Sequence, residues 1–136
     1  MGFNLSWDSE AKDQFVLCYT VTGHWTWEEF YTARDQARQL ADSVDQAVID
    51  SIIDLRDGSL FPQNALTHFT RMPADSHPKL ECGIVVIIHD SLFIRSLVDI
   101  MRYLNPEAMK NFYTVDSLEE AHIILFQKRR PASTEI

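Results

Sequence analysis

The sequence predicts an α/β domain built on a mixed, mostly parallel five-stranded sheet, with an N-terminal β-hairpin and four flanking helices. Short apolar runs alternate with longer segments in which apolar residues recur every three or four positions. Two strands come first, followed by three helix–strand pairs and a last helix. Because parallel neighbours are joined by crossover helices, this alternation favours a largely parallel sheet.

The first two strands are predicted to form the hairpin. A polar turn, "DSEAKD", separates the runs "FNLSW" and "QFVLCYTVTG". Apolar side chains alternate along both runs: Phe3, Leu5 and Trp7 in the first, and Phe15, Leu17, Tyr19 and Val21 in the second. Alternation on both sides of a turn is typical of a hairpin, so we expect one antiparallel strand at or near the sheet edge.

The next segment, "HWTWEEFYTARDQARQLADSV", has the period of a helix. Its apolar stripe consists of Phe30, Ala33, Ala37, Leu40 and Val44. Thr26 and Glu29 have the spacing of a capping box, and Trp25 and Phe30 that of a hydrophobic staple. These signals predict that the helix begins directly after Thr26.

The remaining elements follow in order along the chain. Three further strands are predicted at "AVIDSIIDLRD", "CGIVVIIHD" and "NFYTV". Three further helices are predicted at "FPQNALTHFTRM", "SLFIRSLVDIMRYLN" and "DSLEEAHIILFQKR". Ser117 and Glu120 have the spacing of a second capping box at the start of the last helix.

The third predicted helix carries an unusually wide apolar stripe. Its members are Phe93, Ile94, Leu97, Val98, Ile100, Met101 and Leu104. They span roughly 160° of the circumference at 3.6 residues per turn, which is more than one core contact needs. Either neighbouring helices cover the surplus, or it meets a protein partner or a second copy. The candidate interface residues are Phe93, Leu97, Ile100, Met101 and Leu104.

Length and charge limit the classes of function. The chain of 136 residues fits a single domain, predicted over 1–128, with a short disordered tail at 129–136. The net charge of −8 disfavours nucleic acid as a partner. The longest apolar run, "GIVVII", is too short to span a membrane. Cys18 and Cys82 lie in apolar runs, as expected of buried thiols in a reducing cytoplasm.

Five short motifs, in this order, relate the chain to a known family: "LSW", "GHWTWEEF", "IIDLRD…FP", "HPKLECGIVVIIHD" and "FYTVDSLEEA". Over about residues 3–127 the sequence resembles the SpoIIAA-like family, which has the STAS fold of anti-sigma-factor antagonists. The resemblance implies a curved sheet flanked by helices in a bacterial protein. It also implies a regulatory role in protein association rather than chemistry.

The resemblance implies one candidate switch. The known antagonists are phosphorylated on a serine just after the third strand, and Ser59 is the nearest position here. Those proteins carry an Asp-Ser-Ser-Gly-like turn, whereas this chain reads "DLRDGSLFP". The candidate phosphorylation or interaction residues are Ser59, Asp57, Asp54, Asp90 and Ser91.

The predicted topology gathers polar residues beyond the carboxyl ends of the strands, where open α/β sheets form sites. The set is His24, Asp54, Asp57, Ser59, His89, Asp90, Ser91, Asp116 and Ser117. Asp54 and Asp57 resemble a phosphatase pair, but their odd spacing turns them to opposite faces of a strand. The sequence contains no Gly-x-Ser-x-Gly elbow and no paired metal-ligand motif. We therefore predict helix caps and a turn, with no catalytic residue, metal or cofactor.

A small apolar, lipid-like ligand is the alternative to a protein partner. Trp7, Trp25, Trp27, Phe30, Phe61, Phe69 and Phe112 have the size and polarity to line a cleft between helices and sheet. The same aromatic side chains would equally serve as core. The sequence thus predicts a non-enzymatic interaction module, with ligand binding as the second hypothesis.

Overall fold

The structure, a computed structural model, describes residues 2–8, 16–45, 48–58, 64, 67–68 and 83–129. The elements within these residues are β1 (Gly2–Trp7), β2 (Val16–Gly23), α1 (Trp27–Ser43), β3 (Asp50–Gly58), β4 (Val85–Ile88), α2 (Leu92–Leu104), β5 (Phe112–Val115) and α3 (Leu118–Arg129). Strands and helices alternate from β2 to β3 and again from β4 to α3, as the apolar periods predict, and most of the segment between β3 and β4 lies outside the described residues.

The described residues contain three helices, where the sequence predicts four. The predicted helix at "FPQNALTHFTRM" falls mostly outside the described ranges. Thr67 and His68 are helical, and the backbone N–H of His68 donates to the carbonyl of Asn64 at 3.1 Å. Arg129, the first residue of the predicted tail at 129–136, is the last residue of a helix, and 130–136 lie outside the described residues.

The five strands form one sheet in the order β1-β2-β3-β4-β5. β1 pairs with β2 in antiparallel fashion, and every other neighbouring pair is parallel. This confirms the mixed, mostly parallel sheet with an antiparallel strand at one edge. The register places Asp54 of β3 level with Ile88 of β4, and Ile88 level with Val115 of β5. The carboxyl ends of β4 and β5 are therefore level.

Helices pack on both faces of the sheet. On one face α1 contributes the small residues Ala33, Ala37 and Ala41, which pack against the β2 side chains Leu17 and Tyr19. α2 covers the neighbouring part of that face. On the opposite face α3 packs against β2, β3 and β4, in a cluster formed by Val16, Ile52, Ile84, Val86, Ile88, Ala121 and Leu125. The core is thus divided by the sheet, as expected of strands with alternating side-chain directions.

The start of α1 matches its sequence signals. The Glu29 N–H donates to the Thr26 hydroxyl at 3.1 Å, and the Thr26 N–H donates to the Glu29 carboxylate at 2.9 Å. The rings of Trp25 and Phe30 lie 6.4 Å apart between centroids. Both halves of the capping box and the staple contact are therefore formed.

A close contact joins the amino ends of β3 and β4. The Ile84 N–H donates to the carboxylate of Asp50, and the Ser51 N–H donates to the Ile84 carbonyl, both at 2.8 Å. Asp50 is only 3% exposed. A Cβ on Gly83 would lie 1.9 Å from the Ile49 carbonyl oxygen, so glycine is required for this approach.

We predict that Gly83→Ala destabilises the fold by about 3 kcal/mol, because the added methyl forces β3 and β4 apart at a buried contact. The free energy of unfolding from urea denaturation measures the effect. An unchanged denaturation midpoint would contradict the close approach of Gly83 to Ile49.

Candidate functional site

The carboxyl ends of the parallel strands bring part of the predicted polar set to one edge. Asp54 lies level with the last residue of β4, and His89 and Asp116 directly follow β4 and β5. The His89 N–H donates to the carbonyl of Val115 at 3.1 Å, which holds the two strand ends together. Ser59 lies outside the described residues, so its predicted phosphorylation stays a prediction.

The residues after β4 form the start of α2. The Ser91 hydroxyl accepts hydrogen bonds from the N–H groups of Phe93 at 3.1 Å and Ile94 at 3.4 Å. The Ser91 N–H in turn donates to Nδ1 of His89, a side chain only 8% exposed. Asp90 between them is exposed. Ser91 is therefore the helix cap, and the Nδ1 lone pair of His89 is occupied by the backbone.

The residues after β5 begin α3 in a similar way. The Ser117 hydroxyl accepts the N–H of Glu120 at 3.1 Å. The Glu120 carboxylate accepts the N–H of Asp116 at 3.0 Å, where a standard capping box would use the N–H of the serine itself. The polar groups of this segment are engaged in starting the helix.

Asp54 forms an ion pair that the sequence did not predict. Two carboxylate oxygens accept from Nε of Arg56 at 3.0 Å and from its Nη2 at 2.8 Å, and the Arg56 backbone N–H donates at 3.1 Å. These hydrogen bonds from Arg56 hold the pKa of Asp54 below its usual range, although partial burial acts in the opposite direction. The carboxylate is therefore fixed by a neighbour on its own strand.

An irregularity in β3 follows this pair. Thr20 of β2 pairs with Asp54 of β3, and Thr22 pairs with Asp57. Between these two pairs β3 therefore has one residue more than β2. The odd spacing of Asp54 and Asp57 predicts opposite faces only for a regular strand, and a bulge breaks the regular alternation between them. Asp57 itself is exposed.

Two histidine contacts were also missed. His122 Nε2 lies 2.6 Å from the Asp8 carboxylate and joins the end of β1 to α3. The Tyr31 hydroxyl lies 2.7 Å from Nδ1 of His68, whose ring stacks on Trp27 at 4.3 Å between centroids. Asp8 and His122 are 114 positions apart, and no local pattern signals such a pair.

The aromatic residues considered for a ligand cleft divide among separate parts of the core. Trp25, Trp27 and Phe30 pack with Val21, whereas Trp7 joins the cluster under α1 and Phe112 the cluster under α2. Phe61 and Phe69 lie outside the described residues. The described members therefore fill three core clusters.

α2 shows the largest group of exposed apolar side chains in the part of the chain that the structure describes. Its inner side buries Ile94, Leu97, Val98 and Met101, each at most 8% exposed. Leu97 and Met101, which were predicted at the interface, are therefore core residues. The exposed members are Leu92 (79%), Phe93 (57%), Ile100 (45%), Tyr103 (84%) and Leu104 (56%). We call these five residues the α2 apolar face.

Other kinds of site have less support. Within the described ranges no group of three His, Cys, Asp or Glu residues could hold a metal ion, and no helix is long and apolar enough to cross a membrane. Cys18 is a free thiol whose pKa is raised by burial, so it is a poor nucleophile at neutral pH. Cys82 lies outside the described residues.

Comparison of the structure with solved structures identifies the fold. An uncharacterized protein from the DUF3478 family with a SpoIIAA-like fold, from Shewanella loihica PV-4, superposes with a TM-score of 0.67. The chain has a SpoIIAA-like fold. The match covers 91% of this chain and 94% of the other at 14% sequence identity, so the likeness is one of fold. No family model and no curated protein sequence matches the chain.

We predict that Arg56→Gln raises the pKa of Asp54, because the side-chain hydrogen bonds to the carboxylate are lost. The folded pKa of Asp54 lies below the unfolded value of about 3.9, so the pair stabilises the fold above that pH. Its contribution, less than about 1 kcal/mol for a partly exposed pair, disappears as the pH falls through the folded pKa. Carboxyl-carbon NMR titration measures the pKa.

The control for this titration is Arg38→Gln, since the Arg38 side chain is 37% exposed and that of Arg56 38%. The control is expected to leave the pKa of Asp54 unchanged. Equal pKa values for Asp54 in the wild-type chain and in Arg56→Gln would show that the pair does not form in solution.

Ser91→Ala is expected to cost about 1 kcal/mol of unfolding free energy, because the N–H groups of Phe93 and Ile94 lose their acceptor. Ser96→Ala, at an exposed position of the same helix, is the control and is expected to change stability by less than about half of that. Equal stabilities of the two variants would rule out a capping role for Ser91.

Proposed function

We propose that this chain is a non-enzymatic, cytoplasmic interaction module that binds a protein partner through the α2 apolar face. The observation that carries the proposal is the exposure of five large apolar side chains on one helix. Contiguous exposed apolar surface of this kind is characteristic of interaction sites in folded proteins.

The five side chains form one continuous strip. Phe93, Ile100 and Leu104 lie beside the buried flank of α2, and Leu92 and Tyr103 continue the strip away from the core. At 3.6 residues per turn the strip spans about 120° of the helix circumference. Two of its members are aromatic, and aromatic side chains are enriched at the centres of protein interfaces.

The helix that carries the strip is anchored to the rest of the fold at its inner side and at its C-terminal end. The opposite side of α2 packs into the core through Ile94 and Val98. At the C-terminal end Nη2 of Arg102 donates to the carbonyl of Phe112 at 2.8 Å, which ties α2 to β5. A preformed binding surface loses little conformational entropy on association, so these contacts favour a binding role.

The polar residues at the carboxyl ends of the parallel strands support a role without catalysis. Asp54 is paired with Arg56, Ser91 and Ser117 accept N–H groups of their own helices, and Nδ1 of His89 accepts the Ser91 N–H. A general base needs a free acceptor within reach of a nucleophile. The contacts of these groups are those of helix starts and an ion pair, and the free Cys18 thiol fits a reducing compartment.

The regulatory part of the proposal concerns Ser59. The sequence resemblance to the SpoIIAA-like family implies a switch serine just after β3, and Ser59 directly follows that strand in the sequence. A phosphate there would add negative charge beside Asp57 in a chain of net charge −8.

Photo-crosslinking in the native host tests the proposal. A benzophenone amino acid at position 100 is expected to give a discrete protein adduct, because Ile100 lies in the middle of the α2 apolar face. Position 123 is the matched control, since Ile123 on α3 is 48% exposed and Ile100 is 45%. Absence of an adduct at position 100, or the same adducts at both positions, would contradict the proposed function.

A further inference from the structure

We infer that the partner at the α2 apolar face is a second copy of this chain, packed antiparallel across a two-fold axis near the middle of α2. The inference rests on the proposed function and names its partner. Three features carry it: the order of apolar residues along α2, a small residue at the centre, and the charges along one edge.

The order of the exposed residues is self-complementary. Two copies of α2 in antiparallel contact bring Leu92 of one opposite Leu104 of the other, and Phe93 opposite Tyr103. Ser96 then stands opposite Ile100, so a small side chain meets a large one near the axis. Small residues permit close approach of two helices, and the alternation of large and small residues fills the space between them.

The charges along the edge select the antiparallel orientation. Arg95 and Asp99 are exposed, one turn apart on the same side of α2, and neither takes part in an ion pair within the described residues. In the antiparallel arrangement each Arg95 lies within reach of Asp99 of the other copy, which gives two equivalent ion pairs. In a parallel arrangement the two-fold axis runs along the helices, so the edges that carry Arg95 and Asp99 lie on opposite sides of the contact and these ion pairs cannot form.

Arg102, the remaining cation of α2, donates to the Phe112 carbonyl and is engaged within its own copy. Two copies of a chain with net charge −8 repel each other at long range. The apolar contact and the two local ion pairs must therefore overcome this repulsion. Added salt screens the repulsion between the two copies, which favours the dimer, and weakens the exposed ion pairs, which disfavours it. Because these effects oppose each other, the orientation is tested by charge exchange and not by salt dependence.

Sedimentation equilibrium of the purified 136-residue chain, from micromolar to near-millimolar concentration, is the first measurement. We expect a reversible dimer. Ile100→Lys is expected to abolish it, and Ile123→Lys, at a similarly exposed position on α3, is expected to leave the dissociation constant unchanged. Circular dichroism verifies that both variants fold. A strict monomer over this range would overturn the inference.

Charge exchange tests the orientation. Arg95→Asp and Asp99→Arg are each expected to weaken the homodimer by at least about tenfold, because both equivalent pairs change from attraction to repulsion. Mixing the two single variants is expected to restore association, since every cross-pair is then opposite in charge. The double exchange Arg95→Asp/Asp99→Arg is also expected to restore the homodimer. No recovery in the mixture would overturn the antiparallel arrangement.

The crosslinking and sedimentation results separate the two proposals. A discrete adduct at position 100 with a different protein, together with a monomeric purified chain, would leave the proposed function standing and overturn this inference. A dimer-sized adduct containing only this chain, obtained both in the host and with purified protein, would support both.

Discussion

Parallel pairing of β3 with β4 and of β4 with β5 is the constraint on which most of the structure depends. Parallel neighbours cannot be joined by a tight turn, so the chain must cross the sheet between them. α2 makes the crossing between β4 and β5 and lies against one face of the sheet. A helix on the outside of a sheet buries only one side, and the residues on its other side determine what the surface can bind.

The same parallel pairing explains why polar groups lie at the sheet edge formed by the carboxyl ends of the strands. Parallel strands end at one edge, and each crossover helix begins just beyond it. The N–H groups of a helix start need acceptors, and Ser91 and Ser117 supply them. The helix caps predicted from the sequence at this edge are therefore present at Ser91 and Ser117, and the His89 ring accepts the backbone N–H of Ser91. The apolar side of α2, in contrast, is exposed: Ile100, Tyr103 and Leu104 are 45%, 84% and 56% exposed.

Much of the fold could be predicted from the sequence because its signals are local. The capping box at Thr26 and the alanine stripe of α1 depend on neighbours within one or two turns. Contacts between distant segments leave no such signal, as the pair formed by Asp8 and His122 shows. The bulge that follows Asp54 was missed for a related reason, since it depends on pairing with β2. For α2 the sequence predicted an apolar stripe, but the division between buried Leu97 and exposed Ile100 required the packing of the sheet.

Solvent relaxation enhancement of isoleucine methyl groups by a soluble paramagnetic probe tests the central claim, the half-buried placement of α2, most directly. In dilute protein we expect strong enhancement at Ile100 and Ile123 and weak enhancement at Ile94. At high concentration Ile100 is expected to become protected while Ile123 stays accessible. Protection of Ile100 in dilute protein, equal to that of Ile94, would show that the chain covers this face itself and would contradict the account.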